Sequence, residues 1–315
     1  MKPATRTIVG LLALWSGVNV PAQAAEVPSD LYERMREAVR LVDYEGRFVY
    51  QVGDDLYAMY VVNRMQQGRK LERLVSLDGA PKQVIRGAMA VACLDSKQKK
   101  ISLVGAKSKL GDAPVVGTGE LTRFYRFELG DEYRVAGRPA RELLIHPRDD
   151  LRFGYRIALD RKTDLPLRSV MLDQAERVRS QTLFVDLKTG RQVTPIEHDL
   201  SALQMTEMPV TGSITSGTGD AADTYPEITL GELPPGFRLI DLQTPETDVR
   251  HLLLTDGLAS VSLYVEPLDE QPLEGYSNAG STEIFATRRQ NLQIIVVGEV
   301  PRKTLGLIAS AVELR

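Results

Sequence analysis

The chain has 315 residues, of which 39 are Lys or Arg and 42 are Asp or Glu, so its formal net charge is −3. This mild acidity argues against non-specific nucleic-acid binding, which needs a dominant positive field. The single cysteine, Cys93, excludes an intramolecular disulfide, and the length favours two domains over one.

The first residues have the pattern of an export signal. Lys2 and Arg6 precede an apolar run from Ile8 to Val20, and Ala22-Gln23-Ala24 is a small-x-small cleavage site. The apolar run is too short to span a membrane, and no later stretch is long and apolar enough to do so. We therefore predict a signal peptide over residues 1–24 and a soluble, exported mature chain that starts near Ala25.

One helical pattern is then followed by many strand patterns. An amphipathic helix is predicted over Ser29–Leu41, with Ser29 as its N-cap residue. A short helix is predicted over Leu121–Leu129, and Ser96–Gly119 has no assignable pattern. Alternation at period two predicts antiparallel strands with short turns at Tyr44–Tyr50, Leu56–Asn63, Leu71–Leu77, Gln83–Arg86, Met89–Leu94, Tyr133–Val135, Arg141–His146, Tyr155–Asp160, Leu167–Leu172 and Val178–Leu187.

The stretch from Pro147 to Leu172 predicts a β-hairpin with a polar tip, because two alternating runs flank the segment Asp160–Asp164. Its acidic residues resemble the paired carboxylates of acid–base catalysis. Acidic side chains at hairpin ends, however, usually serve turn formation and solubility. We therefore assign no catalytic role to Asp149, Asp150, Asp160 and Asp164.

A smaller domain follows a tract that is nearly free of apolar side chains. The Ser/Thr/Gly-rich segment Thr211–Asp220 predicts a linker or loop. Beyond it a closing helix from Pro301 to about Val312 follows a set of strand patterns at Arg238–Leu242, Val249–Leu254, Ala259–Glu266, Glu283–Arg288 and Leu292–Glu299. We therefore predict a first, mainly β domain over residues 25–190, a linker or loop over residues 191–225, and a small sheet-plus-helix domain over residues 226–315.

No residue pattern in the chain calls for catalysis, a metal or a cofactor. His146, His198 and His251 are far apart and lack ligand-spaced partners, so they are predicted to be structural or surface residues. Cys93 lies in an apolar run and is predicted to be a buried small hydrophobe. Gly117-Thr118-Gly119 does not continue to a third glycine, so a dinucleotide site has no support.

Several predicted strands carry apolar side chains on both faces, notably Leu56–Asn63, Leu71–Leu77 and Leu183–Val185. If a helix covers one side of such a sheet, the apolar side chains on the other side must also be buried against other apolar groups. A second layer of the same domain satisfies this need. A curved sheet that encloses a cavity for acyl chains satisfies it equally.

Short motifs spread over nearly the whole predicted mature chain carry a resemblance to a known family. They are Tyr44-Glu45-Gly46-Arg47-Phe48-Val49-Tyr50, Val135-Ala136-Gly137-Arg138-Pro139-Ala140, Pro147-Arg148-Asp149, Phe153-Gly154-Tyr155-Arg156, Leu159-Asp160, Leu165-Pro166-Leu167, Leu233-Pro234-Pro235-Gly236-Phe237, Asp256-Gly257-Leu258-Ala259, Val265-Glu266-Pro267 and Val297-Gly298-Glu299-Val300-Pro301. With these motifs the chain resembles the RseB/MucB family of periplasmic regulators of the envelope-stress (sigma-E) pathway. Asp164 departs from the family pattern, because the family's hairpin more often has Gly there.

The resemblance implies a mainly β (α+β) fold: an unclosed antiparallel half-barrel with helices, similar to the lipoprotein carriers LolA and LolB, and a small sheet with one helix. It implies a periplasmic, non-enzymatic negative regulator. Such a protein binds the periplasmic part of a RseA/MucA-like anti-sigma factor and shields it from proteolysis, and lipid or lipopolysaccharide releases it. A periplasmic lipid or lipoprotein carrier is the alternative, and a homo-oligomer is possible.

Two sets of candidate binding residues follow from the strand faces. Tyr264, Arg288 and Arg289 combine an aromatic ring with guanidinium groups, which is common hot-spot chemistry at protein interfaces, so they are the candidates for partner binding. The pattern fits ordinary surface residues at least as well. The candidates for a lipid pocket are Phe48, Tyr50, Val61, Leu74, Ile157 and Leu159. An error of one residue in strand register would invert this second set.

Overall fold

The structure is a computed structural model that describes residues 26–66, 68–79, 82–86, 91–95, 100–102, 118–196, 228–243 and 249–314. The predicted signal peptide, most of Ser96–Gly119, the tract Thr211–Asp220 and His198 lie outside these residues. So does the side chain of Cys93, whose predicted burial therefore stays a prediction.

Helix α1 spans Pro28–Leu41. It begins one residue before the predicted start, and Val27 rather than Ser29 is the N-cap residue. Proline favours the first helical position, because its fixed φ suits a helix and its missing N–H would have had no partner there. The residues that α1 buries recur at helical spacing and are Leu31, Tyr32, Met35, Ala38 and Val39.

Within the described ranges, eleven antiparallel strands form one unclosed sheet in the order β6-β5-β4-β3-β2-β1-β11-β10-β9-β8-β7. The first and last strands, β1 and β11, pair at its centre, while β6 and β7 are its edges. The unclosed antiparallel sheet is thus confirmed. The strands are β1 (Tyr44–Val52), β2 (Asp55–Gln66), β3 (Arg69–Ser76), β4 (Lys82–Arg86), β5 (Val91–Asp95), β6 (Lys100–Ser102), β7 (Tyr125–Val135), β8 (Arg138–Pro147), β9 (Gly154–Asp160), β10 (Pro166–Leu172) and β11 (Val178–Thr189).

The helix predicted over Leu121–Leu129 is wrong. Only a short helix, α2 (Thr118–Leu121), is present, and strand β7 begins at Tyr125. Phe127 is opposite Ile145 of β8, so the aromatic residues of this stretch alternate along a strand. Tertiary pairing with β8 overrides a local pattern that helix and strand share.

The last part of the chain contains a six-stranded antiparallel sheet and helix α3 (Arg302–Ser310), counted over residues 228–243 and 249–314. The prediction of a small sheet with one helix is confirmed. The sheet order is β13-β14-β15-β18-β17-β16, and a separate pair joins β12 to β19. The strands are β12 (Ile228–Leu230), β13 (Arg238–Gln243), β14 (Arg250–Thr255), β15 (Ser260–Pro267), β16 (Gly275–Ala279), β17 (Thr282–Arg289), β18 (Leu292–Gly298) and β19 (Val312–Leu314).

The closing helix differs from its prediction at both ends. Pro301 is the residue before α3 rather than a residue of its first turn. The helix ends at Ser310, because Val312 leaves it to pair with Leu230. We call residues 26–196 the first unit and residues 228–314 the second unit. The core of the second unit lies between α3 and one side of its sheet, and includes Leu252, Leu254, Val261, Leu263, Ile294, Val296, Leu305 and Ile308.

Candidate functional site

The residues predicted to bind lipid lie on one side of the eleven-stranded sheet. Directly opposed residues of antiparallel strands point to the same side. Val61 is opposite both Gly46 and Leu74. Phe48 and Tyr50 follow Gly46 at steps of two residues, so they share that side with Val61 and Leu74.

Direct pairs carry the same side across the sheet to β9. Tyr50 is opposite Thr182, Thr182 is opposite Ser169, and Ser169 is opposite Ile157. Leu159 follows Ile157 at a step of two residues and shares its side. Because α1 packs on this side, we call it the helix-covered face.

Helix α1 already covers part of the helix-covered face. Ile157 is 5% exposed and Leu159 is 1% exposed, and both pack in one cluster with residues of α1. Phe48 and Tyr50 are half-buried; the ring centroid of Phe48 lies 5.4 Å from that of Phe184. The residues that join Ile157 and Leu159 in the cluster are Leu31, Tyr32, Met35, Leu121, Tyr125, Leu143 and Ile145.

Two side chains from the sheet hold the carboxyl end of α1. The Val39 carbonyl accepts a hydrogen bond from Asn63 Nδ2 at 3.1 Å and one from Lys70 Nζ at 3.0 Å. Val39 belongs to the last turn of α1, where carbonyl groups lack a partner within the helix and attract cations. Asn63 and Lys70 therefore anchor this end of α1 to strands β2 and β3.

One cavity beneath α1 is small. A cavity of about 40 Å³ lies between Val39 and the sheet. Sites for drug-sized ligands have volumes of roughly 300 to 1,000 Å³, so this cavity as it stands is too small for an acyl chain. The cavity is lined by Val39, Tyr44, Leu165, Pro166, Leu167, Arg168, Ser169, Thr182, Phe184 and Leu187.

The structure brings together two of the three residues predicted to bind a partner. Tyr264 and Glu266 lie on one side of β15, and the pairs Glu266–Gln293 and Gln293–Arg288 place Arg288 on the same side. Arg289 lies on the other side, where its guanidinium group donates to the carbonyl of Ser310, the last residue of α3, and to that of Val312 just beyond it. Arg289 therefore holds the end of α3 in place.

Tyr264 belongs to the side of the second sheet that faces away from α3, which we call the α3-free face. Its ring stacks on the imidazole of His251, with centroids 4.5 Å apart. The face is half-buried and partly apolar, because neighbouring strands each contribute an aliphatic side chain. Its central residues are His251, Leu253, Ser262, Tyr264, Ile284, Ile295 and Val297.

A buried ionic contact between the two units was missed in the sequence. Arg152 is fully buried, and its guanidinium group donates to Asp256 Oδ2 at 2.8 Å, Asp149 Oδ1 at 3.0 Å and the Pro235 carbonyl at 2.6 Å. The guanidinium carbon lies 4.7, 5.4 and 5.6 Å from the ring centroids of Phe124, Tyr125 and Phe237, respectively. Such a cage of rings favours a cation.

Three of the segments that carry the family resemblance meet at this contact. They are Pro147-Arg148-Asp149, Leu233-Pro234-Pro235-Gly236-Phe237 and Asp256-Gly257-Leu258-Ala259. Gly236 has a φ of +87°, and a Cβ there would lie 2.7 Å from the ring of Phe124. The shared motifs were the available signal, although none of them indicates by itself that the segments touch.

Tyr125 connects the contact to the cluster beneath α1. Its hydroxyl donates to Asp256 Oδ2 at 2.8 Å, and its ring packs with the cluster that contains Ile157 and Leu159. Burial raises the pKa of the Tyr125 phenol well above its ordinary value, and the negative charge of Asp256 raises it further. The phenol therefore stays protonated and acts as a donor.

Two structural features are at issue in the described part of the chain, a cluster of metal ligands and a membrane-spanning helix. No group of three or more His, Cys, Asp or Glu side chains there is arranged to hold a metal ion. Burial lowers the pKa of His146, and the neighbouring Arg126 lowers it further, so this imidazole is neutral at neutral pH. No helix among these residues is long and apolar enough to cross a membrane.

Comparison with known proteins gives matches over both units. The profile of the MucB/RseB N-terminal domain matches residues 27–209, and that of the MucB/RseB C-terminal domain matches residues 224–313. The chain is 33% identical over 323 residues to the sigma factor AlgU regulatory protein MucB of Pseudomonas aeruginosa, covering 98% of this chain and 97% of that protein. It is 23% identical over 311 residues to the sigma-E factor regulatory protein RseB of Salmonella typhimurium, covering 96% of this chain and 95% of that protein.

Solved structures agree with these sequence matches. The complex structure of Pseudomonas aeruginosa MucA/MucB contains a chain that superposes with a TM-score of 0.67 at 29% identity, covering 91% of this chain and 99% of that one. A crystal structure of MucB superposes with a TM-score of 0.63 at 30% identity, covering 91% and 98% of the two chains. This chain belongs to the MucB/RseB family.

Proposed function

We propose that this protein is a periplasmic negative regulator that binds the periplasmic domain of a MucA-like anti-sigma factor. The observation that carries the proposal is the similarity of both units to a MucB chain solved in complex with MucA. A crystal structure of MucB in complex with MucA(peri) superposes with a TM-score of 0.65 at 28% identity. The predicted signal peptide supports a periplasmic location.

The α3-free face is the surface on which we place the anti-sigma factor. Tyr264 is half-buried in it and has the amphipathic ring that is enriched in interface hot spots. Leu253, Ile295 and Val297 supply aliphatic surface around the ring, and Arg288 lies on the same side as an exposed cation that pairs with Glu274 at 2.7 Å. A partner segment with apolar side chains and a flanking carboxylate would match this surface.

Regulation of this kind requires only that the protein stay bound to the anti-sigma factor, and it needs no catalysed reaction. A protein bound over a cleavage site of the anti-sigma factor blocks a protease in proportion to the fraction of anti-sigma factor in the complex. Protection is therefore stoichiometric, and it ends when the complex dissociates.

Release by a lipid requires that the lipid prefer a conformation with weaker partner affinity. The helix-covered face offers apolar strands under helix α1, and the cavity of about 40 Å³ between Val39 and the sheet is too small for an acyl chain as it stands. A lipid that enters beneath α1 therefore selects a parted conformation. Burial of each methylene group contributes about 0.8 kcal/mol toward that conformation.

Gel filtration of the mature protein with the anti-sigma periplasmic domain tests the proposal. We expect a complex with the wild type and at least tenfold weaker binding after Tyr264→Ala. Tyr276→Ala is the matched control, because Tyr276 lies on the α3 side of the same sheet and packs on Phe285 with centroids 4.4 Å apart. Absence of a complex with the wild type would refute the proposal, and equal losses in both variants would refute the placement on the α3-free face.

A further inference from the structure

The loop between β8 and β9 inserts into the second unit with three successive residues. Asp150 pairs with Lys303, the Leu151 carbonyl accepts a hydrogen bond from Thr304 Oγ1 at 2.6 Å, and Arg152 reaches Asp256. Thr304 and Arg152 are fully buried. A buried guanidinium group loses its hydration, so its position is stable only where carboxylates and carbonyls receive its N–H groups.

Asp256 receives contacts from both units. Its Oδ2 accepts from Arg152 and Tyr125 of the first unit, each at 2.8 Å. Its Oδ1 accepts from the backbone N–H groups of Leu258 and Ala259, at 2.9 and 2.8 Å, and so closes the turn between β14 and β15. One carboxylate thus fixes the turn of the second unit relative to two side chains of the first.

The contact is continuous with both candidate surfaces. On one side, Tyr125 belongs to the cluster beneath α1, and Leu258 of the second unit packs against that cluster. On the other side, the strands that the Asp256 turn joins carry His251 and Tyr264 of the α3-free face. Any shift in the packing of Tyr125 or Leu258 would therefore also move a group that donates a hydrogen bond to Asp256.

We infer that Arg152 is a positioning residue that couples the helix-covered face of the first unit to the α3-free face of the second. This inference rests on the proposed function, because it concerns how lipid and partner binding influence each other. By linkage, any factor by which the lipid weakens partner binding equals the factor by which the partner weakens lipid binding. Arg152 transmits that factor and contacts neither ligand.

Hydrogen exchange without a partner is the first test, with sodium palmitate as the probe. In the wild type, saturating palmitate is expected to speed exchange of the Leu258 and Ala259 amides at least fivefold. In Arg152→Met these amides should exchange faster than in the wild type even without palmitate, and palmitate should raise their exchange rates by less than twofold. Arg238→Met is the control, because Arg238 pairs with Glu120 across the same interface in an exposed position and is expected to follow the wild type.

Partner affinity with and without palmitate is the second test. The wild-type dissociation constant for the anti-sigma periplasmic domain is expected to rise at least tenfold with palmitate. That of Arg152→Met is expected to lie above the wild-type value without palmitate and to change less than twofold when palmitate is added. Arg152→Lys keeps the positive charge beside Asp256 but loses the forked geometry of the guanidinium group. The ratio of its dissociation constants with and without palmitate should therefore lie between those of Arg152→Met and the wild type. This variant is used in place of Arg152→Met if the latter does not fold.

The two tests separate the inference from the proposed function. Wild-type exchange rates that palmitate leaves unchanged would overturn the coupling. A palmitate ratio in Arg152→Met equal to that of the wild type would overturn the role of Arg152. Failure of the wild type to bind the anti-sigma domain counts against the proposed function, and the exchange experiment then decides the inference without a partner.

Discussion

Removing the Lys70 anchor of helix α1 should tighten lipid binding. The Lys70 ammonium donates to the Val39 carbonyl at 3.0 Å, and Asn63 donates to the same oxygen at 3.1 Å. In Lys70→Met the carbonyl keeps its bond from Asn63, so only the charged share of the anchor is lost. A charge-assisted hydrogen bond at a half-buried helix end contributes about 1 kcal/mol.

This loss acts on the closed conformation, because the anchor exists only while α1 lies on the sheet. About 1 kcal/mol raises the population of the parted conformation roughly fivefold. A ligand that binds only the parted conformation gains affinity by the same factor while that conformation remains the minor one. The variant should therefore be slightly less stable and yet bind palmitate about fivefold more tightly.

Calorimetric titration with palmitate and urea unfolding measure the two effects on the same samples. Lys188→Met is the matched control, because Lys188 lies on β11 away from α1 and pairs with Glu45 at 3.4 Å. The control should keep the wild-type palmitate affinity. Weaker or unchanged palmitate binding in Lys70→Met, together with the expected loss of stability, would refute the reasoning that α1 must leave the sheet.

Two further predictions concern the sheet itself. Burial raises the pKa of Glu45, but hydrogen bonds from Thr194 and Tyr60 outweigh this and lower it to about 2. The Glu45 carboxylate therefore stabilises the fold above about pH 4.5, and this contribution is lost as the pH falls toward 2. Glu45→Gln should reduce the pH dependence of the urea midpoint across that window and lower the free energy of unfolding at neutral pH by on the order of 1 kcal/mol. A variant whose acid unfolding matches that of the wild type would contradict this. Gly46→Ala should cost about 1 to 3 kcal/mol in urea unfolding, because its Cβ would lie 2.3 Å from the Asp186 carbonyl oxygen, whereas Gly119→Ala, with open space around it, should be nearly neutral.

Local patterns predicted most of the fold because most strands pair with the strand that precedes or follows them in the chain. Period-two alternation indicates a strand directly, and short polar segments indicate the turns between consecutive strands. Alternation alone also predicted that Phe48 and Tyr50 share one side of β1. Their register with Val61 and Leu74 follows from the short turns that join β1, β2 and β3.

Pairings between distant segments could not be read in this way. Strands β12 and β19 are three residues long and pair across almost the whole second unit. Neither has enough residues for a pattern. The stretch after Leu121 fits both helix and strand locally, and only the pairing of β7 with β8 decides between them.

The interface between the units was invisible for a physical reason as well. Arg152 and Asp256 are 104 residues apart, and each alone has the appearance of a solvated charge in a turn. Burial makes the pair significant, and burial depends on how two separately folded sheets meet. The packing of α1 on Ile157 and Leu159 could not be predicted either. Alternation indicates which side of a strand a residue faces, but not which element packs on that side.

Protection of the anti-sigma factor from its regulatory protease tests the central claim most directly. The cleavage rate of the anti-sigma periplasmic domain would be followed while the mature protein is added in increasing amounts. The account predicts that the rate falls in proportion to complex formation and approaches its minimum near one equivalent. A rate that stays unchanged in the presence of a fully formed complex would contradict it.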